Sequence, residues 1–229
     1  MFRFLIYLIT LATPFIAEAT VYSYFSPPKG WEIATPDKDA AHVKLGFIGP
    51  NKSGFAPSLN LAVENVGDLS TNEYIKAVKE IHERIPQNRF RQLGKIRTLS
   101  GESSLTEIDS KTEWGDVRLM QMIFLKDKIA YIVTAAALKE EFGALTKDFQ
   151  KAFQSFIVTD DLFISVSGEE RQEMLKTSLN AVKKALTGTS LEDKTFQKEH
   201  WQPFEKTITS NFSDMGLFWQ FLVFQEALK

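Results

Sequence analysis

The chain of 229 residues contains no cysteine. That absence excludes thiol catalysis, cysteine-ligated metal, disulfide cross-links and a lipid-modified N-terminal cysteine. Histidine is scarce: His42, His82 and His200 stand alone, and no second histidine falls at i+4 to start a helical metal site. Net charge is only −2, so the basic footprint that displaces counterions from nucleic acid is missing. Glycine and proline are scattered, with no internal repeat and no low-complexity tract. There is no GxSxG elbow, and the carboxylates are too dispersed to single out a hydrolytic pair. A hydrolase is therefore the least favoured functional class, and neither cofactor nor metal is expected.

What is present is ordinary globular material. At 44% hydrophobic residues the chain can close a core. Its length suits one domain of roughly 140 to 150 residues plus an extension. The opening "MFRFLIYLITLATPFIAEA" has Arg3 near its start, an apolar run from Phe4 to Ile16, and Ala17-Glu18-Ala19. This is the pattern of a secretory signal cleaved after Ala19, and the run falls short of the ~20 residues of a membrane span. The expected location is the periplasm or the exterior, and the core must be stable without disulfides.

"GFIGPNKSGFAPSLNLAVEN", residues 46–65, imitates a phosphate-binding loop, with Gly49 and Gly54 flanking Lys52 and Ser53. Such a loop needs Lys-Ser/Thr directly after its last glycine and then a helix N-terminus. Here Phe55-Ala56-Pro57 follow, then the alternation of Leu59, Leu61 and Val63 with Asn60, Ala62 and Glu64 that marks a strand. The reading is a hairpin turn. Strands are also expected around Trp31 and Ile33 on one face, and over 43–48.

"LSTNEYIKAVKEIHERI" reads as a helix. Ser70 and Glu73 form a capping box, Leu69 and Tyr74 a hydrophobic staple, and Tyr74, Val78, Ile81 and Ile85 an apolar stripe ended by Pro86. Residues 89–137 read as antiparallel strands turning at 100–103, 114–116 and 126–128. Phe142, Leu145, Phe149, Phe153 and Phe156 stripe a second helix. A third, over 168–187, carries Leu175, Leu179, Val182 and Leu186, with Gly188 as its cap.

The order of these elements, with "PPKGWEI", "GFAPSLNLAVENV", "STNEYIKAV", "GDVRLMQ" and "AYIVTAAA", resembles the PsbP-like superfamily over residues 22–158. That group includes the PsbP proteins of the photosynthetic oxygen-evolving apparatus, the Ran-binding Mog protein and bacterial envelope proteins of the DcrB type. The resemblance implies an α+β fold, an antiparallel β-sheet sandwiched by α-helices, and binding or accessory work without a shared enzymatic site. The expected organisation is a signal peptide at 1–19, a PsbP-like domain at 20–159 and a helical C-terminal extension at 160–229.

Two features are candidate surfaces. Arg89, Arg91, Lys95 and Arg97 should share one face of a strand. A three-residue loop at Gly101–Ser103 would set Arg97 opposite Glu107, Lys95 opposite Asp109 and Arg91 opposite Glu113, which favours an internal ion-pair ladder over an anion site. The C-terminal segment Met215–Leu228 is apolar nearly all round. It reads as a helix buried against 170–186, as a partner surface anchored by Phe218, Trp219, Phe221 and Leu222, or as a peripheral membrane contact, which its lack of a basic face weakens.

The expected function is an exported, non-catalytic envelope accessory protein that docks on another protein or complex. The alternative is a periplasmic carrier of a small ligand or lipid, held in a cleft between sheet and appended helices.

Overall fold

The computed structural model describes residues 21–34, 42–51 and 54–229. The expected signal segment and Lys52-Ser53 lie outside the described residues. The chain forms two compact units, residues 27–157 and residues 21–26 with 158–229.

The first unit is α+β. Seven antiparallel strands run in the order β2-β3-β4-β8-β7-β6-β5. In chain order they are β2 (Glu32–Ala34), β3 (Val43–Ile48), β4 (Ser58–Asn65), β5 (Asn88–Thr98), β6 (Gly101–Thr112), β7 (Gly115–Lys126) and β8 (Ile129–Leu138), with helix α1 (Thr71–Glu83) after β4 and α2 (Lys139–Gln154) after β8. Long strands joined by two-residue turns keep the meander local. The turn at Asp127-Lys128 places both residues at positive φ, 51° and 65°, as the right-handed strand twist requires.

Strand alternation sorts side chains onto two faces. One face carries Phe47, Leu59, Leu61, Val133, Met120 and Met122, all buried. Phe149 and Phe153 of α2, fully buried like Phe156 just beyond it, lie on this side. Phe156 touches Phe124 and Tyr131, while Trp31 meets Phe149 edge-on at 6.0 Å. Burying each such ring contributes about 1.5–3 kcal/mol before entropy is counted. On the opposite face Val43, Ala62, Ile123 and Ile132 pack with Tyr74 and Ile75 of α1.

Several expectations hold only in part. Trp31 and Ile33 do share the α2 side, since Trp31 meets Phe149 and Ile33 pairs with Phe47, but on edge strand β2 Ile33 is left 40% exposed while Trp31 is buried. The capping box of Ser70 and Glu73 is formed; of the two staple residues, Tyr74 is buried and Leu69 is 39% exposed. The expected stripe is present, with Tyr74 buried, Val78 packed on the core and Ile81 and Ile85 half-buried, and it is widened by Ile75 and by His82, which stacks on Phe90.

The basic strand differs most. The turn is the two-residue Leu99-Ser100, and Arg97 faces Glu102, Lys95 faces Ser104, Arg91 faces Glu107 and Arg89 faces Asp109. A bulge between Gln92 and Gly94 inserts Leu93, with Gly94 at φ +111°. One extra residue flips every side chain beyond it. Arg89 and Arg91 therefore share the α2 face, while Lys95 and Arg97 share the α1 face.

The second unit begins with β1 (Tyr22–Tyr24), a strand not foreseen, which pairs with β9 (Ile157–Thr159). Helices α3 (Glu169–Leu186), α4 (Lys194–Phe196), α5 (Gln202–Asn211) and α6 (Gly216–Ala227) follow. Asp193 caps α4 by accepting from Phe196 N, a π-helical stretch Gln197–Trp201 leads into α5, and a 3-10 turn Ser213–Met215 precedes α6. Gly188 sits at φ +81° after α3.

Candidate functional site

Helix α6 has no polar side, and the second unit is built around it. Phe218 is 1% exposed and meets Phe25 edge-on at 5.3 Å. Trp219 is fully buried against Phe212, and its indole N–H donates to the Leu162 carbonyl at 3.2 Å. Gln220, also buried, donates through Nε2 to the Phe212 carbonyl. A buried indole or amide needs such a partner, so these bonds fix how α6 is rotated.

That rotation leaves a second apolar line facing outward. Leu217 is 42% exposed, Phe221 and Phe224 are half-buried, and Leu228 is 41% exposed. Their spacing of four, three and four is one side of a helix. Trp201 extends the line, its ring 5.9 Å from Phe224 and 5.8 Å from Phe204. Of the four residues expected as partner anchors, Phe218 and Trp219 lie inside the unit, and Phe221 and Leu222 are half-buried. Trp201 was missed because its place beside α6 comes from tertiary packing.

The electrostatics hold the unit together. Glu226 accepts from Tyr22 Oη at 2.6 Å, Lys183 Nζ at 2.7 Å and Lys229 Nζ at 2.8 Å. Partial burial pushes its carboxyl up, but these three hydrogen bonds together outweigh burial and hold it at about 2. Arg171 clamps Asp214 and the Asn211 carbonyl, with its guanidinium 5.1 Å over the Phe212 ring.

In the first unit, Arg118 holds Asp109 with two hydrogen bonds, 2.7 and 3.0 Å, and Lys139 adds a third contact at 2.8 Å. Arg118, then Lys139, bring the Asp109 carboxyl down to about 2. Arg91 pairs with Glu107, and Lys95 with Glu102. The ladder is thus an ion-pair network with partners other than those expected.

His82 is buried, and burial lowers its pKa. Its Nδ1 lies 3.0 Å from Asn88 Nδ2, which makes Nδ1 the acceptor and puts the proton on Nε2. Among the described residues no three histidine or acidic side chains converge on a metal position. None of their helices is long and apolar enough to cross a membrane. The phosphate-loop imitation is a hairpin: β3 and β4 pair antiparallel across it, and Gly54 N donates to Asn51 Oδ1.

No protein-family model and no curated protein matches the chain. Solved structures do. LpqN, involved in cell envelope biogenesis of Mycobacterium tuberculosis, aligns with TM-score 0.48 and 12% identity over 62% of this chain and 86% of LpqN. Cyanobacterial PsbP from Synechocystis sp. PCC 6803 aligns with TM-score 0.43 and 9% identity, covering 65% and 98%. The Ran-binding protein Mog1p of Saccharomyces cerevisiae gives 0.41 and 10%, covering 61% and 96%. PsbP and Mog1p are among the proteins that the residue-level resemblance names.

Proposed function

We infer that this is an exported, non-catalytic accessory protein that docks on a protein partner in the cell envelope through the outward side of α6. One observation carries the reading. Leu217, Phe221, Phe224 and Leu228 line one side of a helix whose opposite side already forms a core. A helix that is apolar all round is normally enclosed all round, and rigid aromatic and leucine side chains at this spacing are what an apolar groove on a partner accepts. The non-catalytic part is supported by what the perturbed ionisable groups do. Asp109 and Glu226 are engaged in ion pairs that join elements, and the Tyr74 hydroxyl donates to Glu64. Export is supported by the charged, apolar and small-residue pattern of residues 1–19.

Photo-crosslinking in cells tests the docking reading. A photoreactive amino acid at Leu217 or Phe221 is expected to yield an adduct of defined mass, whereas one at Asn180, exposed on α3, yields none. Equal adducts at all three positions, or none at any, would discard it. N-terminal sequencing of protein from the envelope fraction is expected to read from Thr20.

A further inference from the structure

On the α1 face of the sheet, one polar residue from each of five neighbouring strands stands in a single line. Gln92 pairs with Thr106, Thr106 with Gln121, Gln121 with Thr134 and Thr134 with Asn60. Neighbouring strands are ~4.8 Å apart, so the line crosses most of the sheet. The next partner, Gly46, has no side chain and ends it. Rows of apolar residues flank it: Ile108, Leu119 and Ala136 on one side, Ile123, Ile132 and Ala62 on the other.

Folding alone does not account for this line. Thr106 is 0% exposed, Thr134 6%, and Asn60 and Gln121 7% each. Gln121 Nε2 donates to Thr134 Oγ1 at 3.4 Å, yet Asn60 Oδ1, Thr106 Oγ1 and Gln121 Oε1 have no hydrogen-bond partner. Buried polar atoms without partners destabilise a fold, and apolar side chains of the same shape would serve the sheet better. Departures of this kind mark sites kept for function. The line also reaches solvent at one end: Gln92 is exposed on edge strand β5, directly beside the Leu93–Gly94 bulge.

We propose that this line is the floor of a binding site for a neutral, hydroxyl-bearing ligand, a sugar or polyol head group. The chemistry follows from the unpartnered atoms. Asn60 Oδ1 and Gln121 Oε1 only accept hydrogen bonds, so the ligand must donate, while the Thr106 hydroxyl can do either. An anion would set its oxygens against these acceptors. A cation would be buried without an opposing charge, because no acidic residue stands in the line. A peptide offers N–H donors as well, but its backbone alternates them with carbonyls in fixed directions that cannot turn to suit each position. Hydroxyl groups, which rotate to donate or accept, fit every position, and the flanking apolar rows suit the C–H faces of a ring or an alkyl tail. The site belongs to the first unit and the stripe on α6 to the second.

NMR of the full mature chain tests it, because the side-chain amides of Asn60, Gln92 and Gln121 report directly. The probes are maltose, dodecyl maltoside below its micellar concentration, and dodecylphosphocholine as a charged-head control with the same tail. Saturable shifts of the Asn60 and Gln121 amides with a maltose-headed probe are expected, and none with dodecylphosphocholine. Shifts with maltose itself identify a free saccharide, and shifts with dodecyl maltoside alone identify a glycolipid. Thr106→Val and Gln121→Met should each weaken binding about tenfold while raising the melting temperature. No saturable shift with either maltoside overturns the proposal, as a line filled only by buried water would give. Equal shifts with dodecylphosphocholine, or variants that bind as tightly as the parent, overturn it too. Should a variant fail to fold, the contrast between probes on the parent protein still decides.

Discussion

A methyl group added at Gly49 would lie 2.7 Å from Trp31 Cε2, 2.9 Å from Cζ2 and 3.0 Å from Pro57 Cγ. The indole is rigid and 5% exposed, so it cannot yield as a flexible chain end would. Gly49 is thus a glycine because Trp31 sits on it, which gives the phosphate-loop resemblance a packing explanation. Gly49→Ala should cost about 1–3 kcal/mol by overpacking. In a double-mutant cycle with Trp31→Ala most of that cost should vanish, and urea midpoints that simply add would refute the contact. His82 makes a second residue-scale prediction. Burial sets its folded pKa below the ordinary 6.5, so on acidification the unfolded chain takes up the proton first. The stability its neutral ring provides is complete above about pH 6.5 and declines as pH falls towards the lower folded value. His82→Leu should lessen the stability loss between pH 7 and pH 5, measured by urea unfolding at each pH.

At the scale of elements, most helices and strands were legible and the register was not. The α1 capping box, the phenylalanines of α2 and the apolar strands β7 and β8 are local patterns, and local physics forms them. The β5–β6 pairing hangs on one extra residue, Leu93, and on a two-residue turn, neither of which side-chain periodicity reveals. The polar line had a visible trace, one polar residue inside each apolar run: Asn60 in "LNLAV", Gln121 in "LMQMIFL" and Thr134 in "IVTAAA". Their alignment required the register. Strand β1 was hidden because its partner β9 lies more than a hundred residues away. The bulge can be tested. Gly94→Val should cost about 1–3 kcal/mol, since φ +111° is closed to a β-branched residue. Deleting Leu93 removes the extra residue without moving any pair, because Gln92–Thr106 and Gly94–Leu105 then become consecutive. The deletion should therefore rescue Gly94→Val. A double variant no more stable than Gly94→Val alone would show that Gly94 serves something other than the bulge.

At the scale of the molecule, Asp109 in the first unit and Glu226 in the second each join three elements. Asp109, with its side chain 16% exposed, ties β6, β7 and the start of α2 through Arg118 and Lys139. Glu226, 19% exposed, ties β1, α3 and α6 through Tyr22 and Lys183. Both titrate near 2 when folded, against ordinary values of 3.8 and 4.5. The folded state therefore binds these protons later than the unfolded chain does. The stability they contribute is complete above about pH 4.5 and is lost as pH falls through about 2. Glu226→Gln should cost about 1–2 kcal/mol at pH 7, as charge-assisted hydrogen bonds become neutral ones. Asp109→Asn should cost a similar amount in its own unit. Since each variant has nothing left to protonate at its position, the fall between pH 4.5 and pH 2.5 should be shallower than in the parent. Resolving the units by NMR during urea unfolding separates the effects: Glu226→Gln should move residues 158–229 and leave the midpoints of residues 27–157 in place. If either substitution shifts both sets equally, the two carboxylates do not hold their units independently and the assignment fails.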